Sequence, residues 1–306
     1  QVYGKGGIQV VEDRSLSSKI LDIIVHTTMI FMLVATLYPV LNVLASSLSS
    51  SAANDAGIVS IYPIGLTFDN YRMVFEAGKV PKAFTNSVIY TVVGTAVNLL
   101  LTSSFAYALS RKHLALRKLY MTIAIIPMYF SGGLIPTFLL VKNLGLYDSM
   151  WALILPGAIS ITNFIIMRTF FQGIPAELEE SASLDGANDF VILFKIIIPL
   201  SKAVFFTIGL YYAVGHWNSW FSAMVYFKDS SKYPLQMILR EMIIAANSMK
   251  DAATSEDFNT AADIINLNVK GLKYATLFIS MFPMLMIYPF IQKHFMKGVM
   301  MGSLKG

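Results

Sequence analysis

Residues 175–199 read Pro175-Ala176-Glu177-Leu178-Glu179-Glu180-Ser181-Ala182-Ser183-Leu184-Asp185-Gly186-Ala187-Asn188-Asp189-Phe190-Val191-Ile192-Leu193-Phe194-Lys195-Ile196-Ile197-Ile198-Pro199. Pro175 suits the opening of a helix, where its missing N–H would have no partner in any case. Glu177, Glu179 and Glu180 fall in the first turns, near the positive end of the helix dipole. Ala182 leaves a surface that a neighbour can approach closely. Gly186 can take the left-handed conformation that ends a helix and turns the chain. Asp189–Ile197 then predicts a second, amphipathic helix. Two short helices at an angle make a compact, charged knob.

Outward from the knob the chain turns apolar on both sides. Six segments approach the roughly 20 apolar residues that a helix needs to cross a bilayer: Ile20–Leu44, Ala83–Leu109, Leu119–Leu140, Met150–Phe171, Ile196–Val214 and Tyr274–Ile291. The knob joins the fourth to the fifth. Of 306 residues, 56% are hydrophobic and 13% charged, against about 25% charged in soluble domains. The predicted fold class is an all-α integral membrane protein with six transmembrane helices. Pro127, Gly132, Gly133 and Pro136 mark the third segment as the one to kink or unwind. Between the spans, Phe68–Glu76 predicts a short amphipathic helix and Pro234–Met249 a lateral one.

An even span number puts both termini on one side. The cluster Arg111-Lys112-His113-Leu114-Ala115-Leu116-Arg117-Lys118 assigns that side, and the knob with it, to the cytoplasm. The domain organisation is then a cytoplasmic segment 1–19, a membrane domain 20–292 with the loop 175–199, and a cytoplasmic tail 293–306. The run from Ile20 to Leu48 is too long for a cleaved signal peptide and reads as a permanent span.

The knob resembles the EAA loop of binding-protein-dependent ABC importer permeases. That pattern is Glu-Ala-Ala, three residues, Gly, nine residues, Ile, one residue, Leu-Pro; here it runs Glu180-Ser181-Ala182, Gly186, Ile196, Ile198-Pro199. Ser181 for Ala and Ile198 for Leu depart from it, each by a small change. The resemblance implies a type I ABC importer permease-like bundle, moved by a separate ATPase through Glu179, Glu180, Ala182, Asp185, Gly186, Ala187, Ile196 and Pro199. It implies a second homologous permease subunit, two cytosolic ABC ATPase subunits and an extracytoplasmic solute-binding protein. ATP and Mg2+ would sit on the ATPase subunits, with no cofactor on this chain. The chain carries no Gly-x-x-x-x-Gly-Lys-[Ser/Thr] segment of its own.

Phe68-Asp69-Asn70-Tyr71, His216-Trp217-Asn218-Ser219-Trp220 and the terminus Lys297-Gly298…Gly302-Ser303-Leu304-Lys305-Gly306 are similar to the carbohydrate-uptake branch of that family, the maltose-type second permeases. This implies sugar or oligosaccharide import across a bacterial cytoplasmic membrane. Met301–Gly306 is then either a tail that reaches the ATPase dimer or a solvated end. A saccharide offers apolar C–H faces and polar edges, so Tyr129, Phe130, Tyr211, Tyr212, Asn163, Trp217, Asn218 and Trp220 are candidates for its path. Trp151, Trp217 and Trp220 equally suit an interfacial aromatic belt. Tyr211, Tyr212 and Asn163 equally suit hydrogen bonds between helices.

Other function classes recede. Cysteine is absent, which removes disulfides and thiolate metal sites. His26, His113, His216 and His294 lack ligand spacing. The net charge of +5 lies mainly beside apolar runs, so it reads as membrane-flank chemistry and not as a nucleic-acid surface. Arg168 reads as snorkelling to the interface. No nucleophile–base arrangement points to an enzyme. An ABC importer of a non-sugar solute is the alternative within transport. A self-sufficient channel or secondary transporter is disfavoured by the lack of an inverted repeat and the scarcity of buried carboxylates.

Overall fold

The computed structural model describes residues 15–76, 78–252 and 271–287. The segment before Ser15, the tail with Met301–Gly306 and the end of the sixth predicted span lie outside the described residues. Among those described, the chain is helical and forms no strand. In order come α1 (Leu16–Ser47), α2 (Ser51–Asp55), α3 (Asp69–Glu76), α4 (Lys79–Ser110), α5 (Arg117–Tyr129), α6 (Leu134–Asn143), α7 (Trp151–Ile154) and α8 (Ile161–Gln172). Then follow α9 (Glu177–Leu184), α10 (Asp189–Ile192), a π-turn (Leu193–Ile197), α11 (Ile198–Leu200), α12 (Lys202–Trp217), α13 (Trp220–Tyr226), α14 (Leu235–Ala252) and α15 (Gly271–Ile287).

α4 lies at the centre, between α8 and α12, and it is inside out by the standard of a soluble helix. Its buried face carries Ala83, Ser87, Gly94, Asn98, Thr102 and Ala106. Val88, Ile89, Val92, Leu100 and Leu101 point outward. Small and polar residues between helices with aliphatic residues outside is the arrangement expected where lipid is the solvent. α1 is plainer still: it runs unbroken through Pro39, and Leu16 through Pro39 are almost wholly exposed. Its hydroxyls turn back on their own helix, Thr28 Oγ1 donating to Ile24 O and Thr36 Oγ1 to Met32 O, both at 2.8 Å. It meets the rest of the chain at its C-terminal end. There Ser47 Oγ lies 2.7 Å from Tyr71 Oη, and Asn70 Nδ2 donates to Ser47 O and Ser49 O.

The third predicted span is broken as Gly132-Gly133 requires, α5 and α6 meeting at 118°. The fourth departs from its expected continuity. It is α7 and α8 with an irregular stretch at Leu155–Ser160, where Pro156 removes a backbone donor and Gly157 adds freedom. The fifth begins at Lys202, not Ile196: the helical run Asp189–Leu200 turns by 91° into α12. Among the described residues two helices, α1 and α4, are long and apolar enough to cross a membrane by themselves, and each bent pair taken as one span raises the number to four. α15 is apolar over its 17 described residues, and α7 and α8 are separated by the irregular stretch at Leu155–Ser160. The helix expected over Pro234–Met249 is observed as α14 and the short amphipathic one as α3.

Candidate coupling site

The knob forms as its residues dictate. α9 ends at Leu184 with Asp185 as its C-cap; Gly186 takes φ +82, and Ala187 N donates to Ala182 O at 2.9 Å to close the turn. Asn188 is extended, and its Oδ1 accepts from Val191 N at 2.9 Å, capping α10. Pro175 sits just ahead of the helix it was expected to open. Pro199 has no N–H to give to Lys195 O, and the ladder widens into the π-turn Leu193–Ile197 before the chain bends at Ser201.

Glu179, Ala182 and Ala187 turn inward. Ala182 and Ala187 pack against the core that includes Phe171, Ile192 and Ile197. Glu179 pairs with Arg111, just past the end of α4. Glu180, Asp185 and Gly186 are exposed, Ile196 is half-buried and Pro199 exposed. The outer face is apolar at its tip: Leu184 is 89% and Phe190 72% exposed. Sequence reasoning named the acids and missed these two. A signal was present for Leu184, an apolar residue between Ser183 and Asp185 at the helix end; Phe190 opens an apolar run and carried no such mark.

Basic residues gather where α4, α5 and α8 meet the knob. The Arg111 guanidinium stands 4.0 Å above the Tyr107 ring and donates to its hydroxyl, which reaches Asp189 Oδ1 at 3.5 Å. Arg117 Nε and Arg168 Nε both donate to Leu109 O, at 3.1 and 2.9 Å. The Gln172 amide oxygen, in the orientation that satisfies it, accepts from both arginines. Arg168 is therefore a clamp on the last turn of α4. A cavity of about 600 Å³ opens between α9 and Ser110–His113, with Arg111, Lys112, His113, Glu179, Glu180 and Asp189 on its walls.

The candidates for the sugar path do not gather into one pocket. Tyr129, Phe130, Tyr211, Asn218 and Trp220 are exposed, with Arg240 5.1 Å over the Trp220 ring. Trp217 is buried, edge-on to Phe84, and its Nε1 donates to Ser280 O at 3.0 Å. Tyr212 belongs to a buried polar seam that spans the break between α7 and α8. Its hydroxyl pairs with Thr102 Oγ1 at 2.7 Å and accepts from Ser160 N at 2.9 Å. Asn98 Nδ2 reaches Gly157 O at 3.4 Å and lies 3.2 Å from His216 Nε2. Asn163 is buried in the same region. Side chains from α4 and α12 thus satisfy backbone groups that the break left open. Asn98, Thr102 and His216 were not singled out as path or contact residues, though Gly94-x3-Asn98-x3-Thr102 and Tyr212-x3-His216 each lie along one helix face.

The family model described as "Binding-protein-dependent transport system inner membrane component" matches residues 98–300. Among curated proteins, Protein LplC of Bacillus subtilis is 43% identical over 89% of this chain and 90% of its own. The polygalacturonan/rhamnogalacturonan transport system permease protein YtcP of Bacillus subtilis is 40% identical over 95% and 100%. Among solved structures, a chain of a bacterial ABC transporter that imports the acidic polysaccharide alginate superposes with a TM-score of 0.82 at 32% identity, covering 92% of this chain and 98% of that one. On these matches and on the geometry above, the chain belongs to the inner-membrane components of binding-protein-dependent transport systems.

Proposed function

We propose that this chain is one membrane-spanning subunit of an ATP-driven importer of oligosaccharides, and that residues 175–199 dock it to a cytosolic ATPase. The observation that carries the reading is the knob itself: a tight helix–turn–helix, fastened to α4 through Arg111, that offers Leu184 and Phe190 to a partner. Exposed apolar side chains beside free carboxylates suit a protein groove better than water. Glu180 and Asp185 supply polar contacts there, and Gly186 the turn. Closure of two ATP-loaded ATPase subunits, which hold ATP and Mg2+, would move the knob and switch the spans between inward-open and outward-open arrangements.

Six spans complete the architecture in this reading. They are α1, α4, the bent pair α5–α6, the interrupted pair α7–α8, α12, and α15 with the residues that follow it. Both termini and the knob lie on the cytoplasmic side of a bacterial inner membrane, and an extracytoplasmic binding protein delivers cargo at the opposite end. The proteins named for polygalacturonan/rhamnogalacturonan and for alginate favour an oligosaccharide that carries carboxylates.

Mild extraction of the tagged chain from its native membrane tests this. Recovery with a second permease and a Walker-type ATPase is expected, together with ATP-dependent uptake of a uronate oligosaccharide by the reconstituted assembly. Recovery of the folded chain alone from several mild detergents would overturn it.

A further inference from the structure

Several lines of attachment lead from the knob into the bundle, and they differ in stiffness. The α5–α6 pair is bent by 118°, the run Asp189–Leu200 meets α12 at 91°, and α8 stops at the irregular stretch before Ser160. α4 alone among these runs without a break, 32 residues from Lys79 to Ser110, which is about 48 Å of helix. Its knob end carries Arg111. That side chain and Glu179 are only 12% and 18% exposed, so the pair is shielded from solvent and resists stretching more than an exposed one would. Tyr107, one turn back on α4, extends the hold to α10 through Asp189. Both helices of the knob are thereby tied to the last turn of α4.

The far end of α4 is held as firmly. Asn86 Nδ2 donates to Ser231 O at 2.9 Å and Tyr233 O at 3.1 Å, and Tyr90 Oη donates to Lys232 O at 2.9 Å. Ser87 Oγ accepts from Leu235 N at 2.8 Å, at the first residue of α14. A displacement of α9 therefore has an unbroken mechanical route to the loop 230–235 and to α14 at the opposite end of the molecule.

We propose that Arg111 is a positioning residue for transport: through Glu179 it converts movement of the knob into movement of α4, which delivers it to the 230–235 loop. This rests on the reading of the knob as the ATPase-docking element. A contact that only stabilised the fold would be replaceable without effect on how hydrolysis and uptake are linked. Coupling between distant sites is established by perturbing the link and reading both ends.

The test uses the whole complex in vesicles with its binding protein and a uronate oligosaccharide, comparing R111A, R111K and the exchange R111E with E179R. In R111A the ATPase subunits are expected to copurify, while uptake falls on the order of tenfold and hydrolysis no longer responds to loaded binding protein. R111K and the charge exchange are expected to restore uptake to within about threefold of the parent. Normal uptake by R111A overturns the proposal. So does a loss of uptake that only tracks loss of assembly, or an exchange that assembles without recovery. An unmodified complex that retains no ATPase would overturn the docking reading itself, an outcome separate from failure of the Arg111 variants.

Discussion

At Gly94 the missing side chain is what lets the His216 ring lie against α4. A Cβ built there would stand 2.5 Å from His216 Nε2 and 2.7 Å from its neighbouring ring carbons, and a rigid ring in a packed seam cannot yield. Gly94→Ala is expected to lower the stability of the purified protein by about 1–3 kcal/mol. Gly209→Ala, whose Cβ meets the flexible end of Leu99 at 3.2 Å, is expected to cost less; equal melting temperatures for the two variants would refute the distinction. Gly186 presents the opposite case. Nothing stands within 4 Å of its Cβ direction, but φ is +82, which penalises an L-residue by roughly 1–2 kcal/mol. Asn tolerates that region and Val does not, so Gly186→Val should lose the ATPase on extraction while Gly186→Asn keeps most of it. Outside the spans, Asp148 anchors the loop after α13. Hydrogen bonds from Lys232 and from the backbone of Asp229 and Lys228 pull its carboxyl from 3.8 to about 2. A depressed acid contributes stability above pH 3.8 and loses it as the pH falls towards 2. Melting temperature should therefore drop over that window in the parent and less in Asp148→Asn.

At the scale of elements the prolines are the informative residues, because the same residue type has opposite outcomes. Pro39 sits inside an unbroken α1, whereas Pro156 opens the gap between α7 and α8. The gap is sustained by Gly157 beside it and by Asn98 and Tyr212, which come from other helices to take over the freed carbonyl and amide. A sequence read segment by segment shows the proline and glycine and not the distant side chains that make the break tolerable. The third span was legible as broken because its signals, Pro127 through Pro136, are all local. The knob was legible for the same reason, and its two inward alanines less so, since which face of α9 is covered depends on Phe171 and Ile197. His216 illustrates a different loss: it was weighed only as a metal ligand, yet its spacing from Tyr212 marked a buried face. Pro199 makes the element-scale prediction. Pro199→Ala returns a donor to Lys195 O and removes the cause of the π-turn, so the register of Asp189–Ile197 should shift by one residue and rotate Phe190. Uptake should fall with the subunit still in the membrane; unchanged uptake would mean that the π-turn does not set where Phe190 points.

For the molecule as a whole, the unanswered surface is α1. Its most apolar 18-residue window has none of its residues buried against the other described residues. Lipid alone is an adequate environment for such a helix, but lipid gives no reason for it to project from a bundle whose other long helix, α4, is well packed. A helix anchored at Ala45–Ser47 and free from Leu16 to Pro39 can reach across to a neighbour, and the importer reading supplies one in the second permease subunit. The chain has no cysteine, so single cysteines introduced along α1 report without background. Replacements at Leu33 and Leu37, four apart on one face, are expected to cross-link to the second permease in the intact assembly, and those on the opposite face to react with a lipid-phase reagent. Cross-linking should persist in R111A, because α1 joins at the end of the molecule away from the knob. A scan from Leu16 to Pro39 in which every position meets only lipid would mean that the subunits associate through other helices and that α1 is a separate anchor.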